Sequence, residues 1–364
     1  MIYVVGAGAA GLACAATLGR AGADVVVLER DEVGAAWVSR YDCLHLHTVR
    51  WLSGLPGYGI PRAYGKWPSR DHVAEYLRTY ASRHEITVRT GVAVERVERA
   101  GDGWLVATGG EALAADRVVI ATGYSNVPHV PAWPGSFAGE LVHSSDYRHG
   151  DPFRGQRVLV VGAGNSGAEI AIDIARSGAS EVLLSVRTPP AVVRRDTLGV
   201  PSQLLGIASG RLPTGVVDRI AATLRRAAFG DLAPLGLPAP RRPYSEFLRR
   251  RVIPIVDVGL VAAVKQGSVR VVPGLERFDD GIPVLADGST VEVDAIVAAT
   301  GFRTGLEPLV GHLGVLDDGG VPVVHGPEEH PNAPGLHFVG FVVTLGGTLR
   351  LVGRQAEQLA RAAA

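Results

Sequence analysis

Two sets of three glycines stand where they could bind phosphate. Gly6, Gly8 and Gly11, and again Gly162, Gly164 and Gly167, each follow a short apolar run and open a run of helical character. In a GxGxxG turn the first glycine makes the tight turn and the second admits a pyrophosphate to the backbone. The third lets the helix pack on the strand. The helix N-terminus then presents free N–H groups and the positive end of its dipole to the phosphates. Glu29 ends the strand VVVLER after the first loop, where a carboxylate accepts hydrogen bonds from ribose hydroxyls. The strand VLLSVR after the second loop has Val186 at the aligned position and Arg187 next to it. A carboxylate there would repel a ribose 2′-phosphate, whereas an arginine pairs with it. Two dinucleotide sites on one chain mean that one nucleotide passes electrons to the other. The reading is a tightly held FAD at the first loop and an exchangeable NADPH, preferred to NADH, at the second. The cofactors then carry the redox chemistry. Arg187 as a solvated strand end is the competing reading, and Thr188, Arg194 and Arg195 are weaker candidates beside it.

The elements that position these loops are written twice. VVGAGAAGLACAATLGRAGA at 4–23 aligns without a gap with VVGAGNSGAEIAIDIARSGA at 160–179, each followed by a second strand. A second pair, DRVVIATGY at 116–124 and DAIVAATGF at 294–302, reads as apolar strands buried on both faces of a parallel sheet. Thr122 and Gly123, and Thr300 and Gly301, follow these strands and bring backbone N–H groups toward each nucleotide. The predicted fold class is α/β, with two dinucleotide-binding Rossmann-like domains in three-layer form around parallel sheets. An FAD-binding domain at 1–153 and 303–364 receives an inserted NADPH-binding domain at 154–302. Within the insertion, 189–243 is rich in Pro, Arg and Gly, with helical spacing around Val216–Phe229. It reads either as a surface subdomain or as a lid.

The chain has 364 residues, 47% of them apolar, enough for about two cores. Its 36 basic and 36 acidic residues balance, with no basic run, which argues against nucleic acid and an anionic membrane surface as partners. No apolar stretch reaches about 18 residues, so no membrane span is expected. No charged, cleavable leader is seen before the first strand. The two cysteines, Cys14 and Cys43, form neither a CxxC pair nor a metal-ligand spacing. They suit a reducing cytoplasm and a structural role, and no metal site is expected. The absence of CxxC argues against a dithiol reductase, leaving oxygen or a partner protein as electron acceptor. The eleven histidines are scattered; only His45 and His47 are close, on the alternating stretch CLHLHT, where period two puts both on one face of a strand. Association into a homo-oligomer is left open.

At this point the residues resemble a known family. FAGELVHSSDY at 137–147 matches FxGxxxHxxx[YF], the identifying motif of flavin-containing monooxygenases, and it lies just before the second glycine loop. Related Baeyer–Villiger enzymes have tryptophan where this chain has Tyr147. The resemblance covers nearly the whole chain and is closest to the YUCCA-type branch. It is carried by LERDEVGAAW (28–37), YDCLHLHT (41–48), ATGYSNVPHVPAWPG (121–135) and VLVVGAGNSGAEIAIDIA (158–175). Two departures are Gly34-Ala35-Ala36-Trp37 for the family's GGxW and Arg50 for a family lysine.

The resemblance implies an NADPH- and O2-dependent FAD monooxygenase that forms a C4a-(hydro)peroxyflavin. It would oxygenate a small organic substrate, either a soft nitrogen or sulfur nucleophile or a 2-oxo acid or other carbonyl. His47 and Asn126 are the candidates for lining the oxygenation pocket. A packed histidine and an ordinary turn residue before Val127-Pro128 are the competing readings. Ala10, Arg30, Trp37, Leu46 and Val92 complete the FAD set, with packing the alternative for Trp37 as for Trp133. Asn165 and Ser166 complete the NADPH set. His143 and Tyr147 are expected to organise the interdomain linker. An NAD(P)H-dependent reductase or oxidase serving a protein acceptor or oxygen, and a redox-sensing flavoprotein, remain as alternatives.

Overall fold

The computed structural model describes residues 1–363 except 198, 210, 211, 241, 250–252 and 345. Four of the exceptions, 198, 210, 211 and 241, fall in the stretch read as a subdomain or lid and lie outside the described residues. The chain forms two compact units. The first is Met1–Ser39, Thr48–Val127 and Phe302–Ala364; the second is Arg40–His47 and Pro128–Gly301.

In the first unit, β1 (Ile2–Val5), α1 (Ala9–Arg20) and β2 (Val25–Leu28) form the first βαβ element. They are followed by α2 (Arg70–Arg83) and β3 (Val88–Arg89). An antiparallel meander comes next, β4 (Val94–Ala100), β5 (Gly103–Thr108) and β6 (Ala112–Ala115), and then β7 (Arg117–Ile120). β1 pairs in parallel with both β2 and β7. Because side chains alternate along a strand, Tyr3 and Val5 enter one core with Trp104, Val106, Val118 and Ile120. Val4 faces α1 instead, close to Gly11.

In the second unit, β8 (Glu140–His143), β9 (Arg157–Val161), α3 (Asn165–Arg176) and β10 (Glu181–Val186) repeat the pattern. Next come β11 (Val192–Arg194), α4 (Ser202–Ser209), α5 (Thr214–Phe229), β12 (Ile255–Asp257) and α6 (Leu260–Lys265). β13 (Arg270–Pro273), the hairpin β14 (Leu275–Asp279) and β15 (Ile282–Leu285), and β16 (Ala295–Ala298) complete it. The sheet order is β13-β10-β9-β16-β8, parallel throughout. Val158 and Val160 pack toward the helices, while Leu159 and Val161 pack with Leu275, Phe278 and Leu285 of the hairpin. Phe229, Leu232 and Leu237 enter the helix-side core, so the expected subdomain is anchored by apolar burial.

The chain then returns to the first unit with β17 (Leu336–Phe338) and α7 (Thr348–Ala363). The first sheet reads β17-β7-β1-β2-β3. α7 covers α1, and the Thr17 hydroxyl donates to the Ala356 carbonyl at 3.1 Å. α1 is therefore pressed from two sides, which is why it consists almost wholly of alanine, glycine and other small residues.

Two sequence expectations change. Residues 128–153 were assigned to the first domain but belong to the second unit, because β8 pairs in parallel with β16 from Glu140↔Ala295 to His143↔Ala298. His143 and Tyr147, expected at the interdomain linker, make their bonds within the second unit, His143 at its end residue Gly301. His143 Nε2 lies 3.0 Å from the Gly301 carbonyl, and the Tyr147 hydroxyl donates to Asp173 Oδ2 at 2.6 Å, both inside the second unit. Residues 41–48 do not form a strand. A turn at Asp42–Cys43 precedes His45, whose Nδ1 lies 2.9 Å from the Cys43 carbonyl.

Trp104 is 1% exposed, and its indole N–H donates to the Pro334 carbonyl at 3.2 Å. Trp104→Ala should therefore cost about 3–5 kcal/mol, read as a lowered midpoint in denaturant unfolding. An unchanged midpoint would remove Trp104 from the core of the first unit.

Candidate active site

The two glycine loops share one geometry. Gly6 and Gly162 have φ of +105° and +118°, in the region where glycine is at ease. A Cβ on Gly11 would lie 1.8 Å from the Gly6 carbonyl oxygen, and one on Gly167 would lie 1.9 Å from that of Gly162. Both helices begin at a glycine, Gly8 or Gly164, with no side-chain cap and no acid in the first turn. A Cβ on either of those two would meet nothing within 4 Å. An uncapped N-terminus with open space over its first residue is a fit for a pyrophosphate.

At the first loop, Ala7 N–H donates to Glu29 Oε2 at 2.5 Å and Asp31 N–H donates to Oε1 at 3.0 Å. The carboxylate is thus fixed beside the loop, with lone pairs remaining for ribose hydroxyls. The backbone N–H of Val92 donates to the Glu29 carbonyl, tying that residue to the same strand end. Arg30 Nη2 donates to Asn126 Oδ1 at 3.2 Å, which joins two expected site residues in the first unit. Ala10 is buried; Trp37 is half-buried on a short helix, Ala35–Val38. Thr122 carries a buried hydroxyl with no hydrogen-bond partner among the described residues, beside Gly123 at φ +81°. An orphaned hydroxyl after the sheet's central strands is a second observation that fits a bound dinucleotide.

At the second loop the same positions are used differently. The Asn165 side chain donates to the Pro254 carbonyl at 3.1 Å and accepts from Val256 N–H at 2.8 Å, so it pins a neighbouring segment. The Thr300 hydroxyl donates to the His129 carbonyl, and the Gly301 carbonyl accepts from His129 N–H at 3.0 Å. Arg187 and Thr188 are exposed just beyond β10. Arg187 makes no ion pair among the described residues, which leaves its guanidinium available to a phosphate.

The segment Arg40–His47 belongs to the second unit and, with α3, builds a polar cleft there. Leu46, expected beside FAD, is buried in this unit, and its carbonyl accepts from Arg195 Nη2. The cleft, about 210 Å³, is lined by Cys43, His45, His47, Glu169, Asp173, Arg176 and Arg195, with Ile172 and Val258. Glu169 is only 6% exposed. His47 Nε2 lies 2.8 Å from Glu169 Oε1, and the Tyr41 hydroxyl donates to Oε2 at 3.0 Å. Ser166 faces the same Tyr41 hydroxyl. Burial brings the Arg195 guanidinium down to about 10, against the opposing pull of Glu169 and Asp196, so it stays charged at neutral pH. Sequence reasoning missed Glu169 and Tyr41. The available signal was a pair of acids, Glu169 and Asp173, one helical turn apart in the otherwise apolar run GAEIAIDIA.

Neither cysteine is suited to thiol chemistry. Burial pushes Cys14 up to about 12, and burial followed by the charges of Asp173 and Glu169 does the same for Cys43. A raised pKa keeps both as thiols until the solution is strongly basic. Iodoacetamide at pH 8 should label both at least about tenfold more slowly in the native chain than in the unfolded chain, as counted by mass spectrometry. Fast labelling of native Cys43 would contradict this environment.

Against this geometry the known proteins can be set. The family model described as pyridine nucleotide-disulphide oxidoreductase matches residues 3–198. The indole-3-pyruvate monooxygenase YUCCA1 of Oryza sativa subsp. japonica is 35% identical over 93% of this chain and 86% of its own length. The probable indole-3-pyruvate monooxygenase YUCCA1 of Arabidopsis thaliana is 32% identical over 93% of this chain and 84% of its own. A solved flavin monooxygenase from Stenotrophomonas maltophilia, in a double-substituted form, is 26% identical with a TM-score of 0.77, covering 100% of this chain and 98% of that one. With its doubled glycine loops and full-length match to these relatives, the chain belongs to the flavin monooxygenase family, within the pyridine nucleotide-disulphide oxidoreductase group.

Proposed function

We propose that this protein is an NADPH- and O2-dependent FAD monooxygenase whose substrate is a small 2-oxo acid. The observation that carries the reading is one backbone geometry used twice with opposite charges at the strand ends, Glu29 after the first loop and Arg187 after the second. Glu29 suits the ribose of FAD; Arg187 suits the 2′-phosphate of NADPH. The substrate class is supported by relatives of nearly equal length named for oxidising indole-3-pyruvate. When bound, FAD would supply transfer of an electron pair from NADPH to oxygen, with one oxygen atom going to the substrate and the other leaving as water.

The chain's own residues bind, orient and shield. Gly8 and Gly164 admit the pyrophosphates, and the uncapped helix N-termini hold them. The Thr122 hydroxyl, buried and unpartnered among the described residues, serves the flavin nucleotide. His47 and Asn126 are the polar side chains proposed to serve oxygen transfer. Asn126 is steadied by Arg30, and His47 by Glu169. Among the described residues no helix is long and apolar enough to cross a membrane.

The purified yellow protein should be reduced anaerobically by NADPH faster than by NADH. Mixing the NADPH-reduced protein with oxygen should then give a transient flavin spectrum distinct from both the oxidised and reduced forms. Indole-3-pyruvate or phenylpyruvate should shorten its life and lose carbon dioxide. Direct return to oxidised flavin, with stoichiometric hydrogen peroxide, would favour an oxidase instead. A preference for amines or thioethers would move the substrate to the soft nucleophiles.

Arg187→Ala should raise the KM for NADPH by about 10–100-fold, the loss of a charge-assisted hydrogen bond of about 1.5–3 kcal/mol. The KM for NADH should stay within about twofold. Equal changes for the two nucleotides would remove Arg187 as the phosphate reader.

A further inference from the structure

We infer that Glu169 is a positioning residue that sets the tautomer and protonation of His47. This rests on the reading above only in giving His47 a role in oxygen transfer. The pair itself stands on geometry inside the second unit. Glu169 Oε1 lies 2.8 Å from His47 Nε2, and the carboxylate is 6% exposed. The contact is close but bent, since Oε1 has no aligned hydrogen-bond donor among the described residues. Its effect on the ring is therefore chiefly that of a charge. The Tyr41 hydroxyl holds the other oxygen at 3.0 Å, so the carboxylate cannot swing away without breaking a buried hydrogen bond.

A negative charge beside Nε2 favours the tautomer with its proton on Nε2. It leaves the lone pair on Nδ1, which is buried and meets no hydrogen-bond partner among the described residues. The carboxylate and the Tyr41 hydroxyl behind it thereby fix which face of the ring carries the proton. A histidine oriented by a carboxylate, with its second nitrogen unpaired among the described residues, has the arrangement by which bases are held in place in other enzymes. The remaining charged and titratable groups around the pair are Asp173 and Arg176 on α3, Cys43 and His45 on the 40–47 segment, and Arg195. Arg195 already answers to Asp196 as well as Glu169. Asp173 holds the Tyr147 hydroxyl, and His45 Nδ1 lies against its own turn at the Cys43 carbonyl. Glu169 is the carboxylate in contact with the His47 ring.

The test is a titration of the full-length protein carrying 15N-labelled histidine, with the His47 signals assigned by their loss in His47→Asn. Nitrogen shifts report both tautomer and midpoint, and no turnover is needed. In Glu169→Gln the tautomer ratio should move away from Nε2–H and the midpoint should fall. Glu169→Asp keeps the charge and should restore most of the midpoint. Arg157→Gln, which breaks the ion pairs to Glu292 and Asp294 away from the cleft, should leave both readouts at their native values. Should Glu169→Gln fail to fold, Tyr41→Phe supplies the reading. Freed of its hydrogen bond, the carboxylate should hold the His47 midpoint at or above its native value. An unmoved midpoint and tautomer in folded Glu169→Gln, or a lowered midpoint in Tyr41→Phe, overturns the inference. A protein with no oxygenase activity but the expected shifts would sink the functional reading and leave this one standing. With activity present, the acid limb of kcat/KM should move together with the midpoint. A limb that stays while the midpoint moves would sever the pair from the reaction.

Discussion

The structure depends on one steric constraint, the contact of helix backbone with strand-end backbone at Gly11 and Gly167. A Cβ at either position would sit inside the radius of a carbonyl oxygen, at 1.8 or 1.9 Å. Real Cβ atoms do not approach so closely, so any side chain would drive the helix outward. The helix N-terminus would leave the strand ends with it. Its uncapped N–H groups and dipole are useful only where they now stand. Everything downstream is then fixed by register. β1 pairs Val5 with Leu28, so Glu29 must emerge beside the first loop. β9 pairs Val161 with Ser185, so Val186 and Arg187 must emerge beside the second. The side chains proposed to read each nucleotide, Glu29 and Arg187, therefore emerge from equivalent strand ends of the two sheets.

Within that shared frame the two halves diverge in what their side chains leave unsatisfied. Thr122 and Thr300 hold equivalent sequence positions, yet the first has an orphaned hydroxyl and the second is spent on the His129 carbonyl. The helices differ for a related reason. α1 lies between its sheet and α7, with no charged side chain along Ala10–Leu18 and its one hydroxyl, Thr17, spent on backbone carbonyls. α3 carries Glu169 and Asp173, because the face they occupy meets the 40–47 segment and Tyr147 rather than another apolar layer. Duplication supplied the backbone, and what packs against each copy determined its chemistry.

The parts legible in the sequence were those set by local pattern. The glycine spacing, the apolar strands and the Glu29 and Arg187 contrast are all written within about 30 residues. The parts misread were non-local. Nothing near Glu140 announces that it will pair with Ala295, so the boundary was placed after 153 instead of at 127. The stretch CLHLHT alternates like a strand, but among the described residues only His45 takes a bridge position and no strand runs along it. Its conformation is decided by turn bonds and by contacts with α3 instead. Glu169 was passed over because it lies inside a motif whose glycines already had an explanation.

Glu169 also explains why a segment so early in the chain belongs to the second unit. An ionised carboxylate removed from water is costly unless it is paired and hydrogen-bonded, and removing one partner of a buried pair costs about 3–5 kcal/mol. Glu169 has Tyr41 on one oxygen and His47 against the other, with the charge of Arg195 acting on it as well. Both side chains in contact with it come from the two ends of a single short segment, residues 41 and 47. Peeling that segment away would strip the buried carboxylate of both at once, and the main-chain bond from Asp42 N–H to the Arg148 carbonyl would go with them. These side-chain contacts act together with that main-chain bond and the burial of Tyr41 and Leu46 to hold the segment to the second unit. The same buried charge that contributes to this path of the chain also acts on the ring of His47.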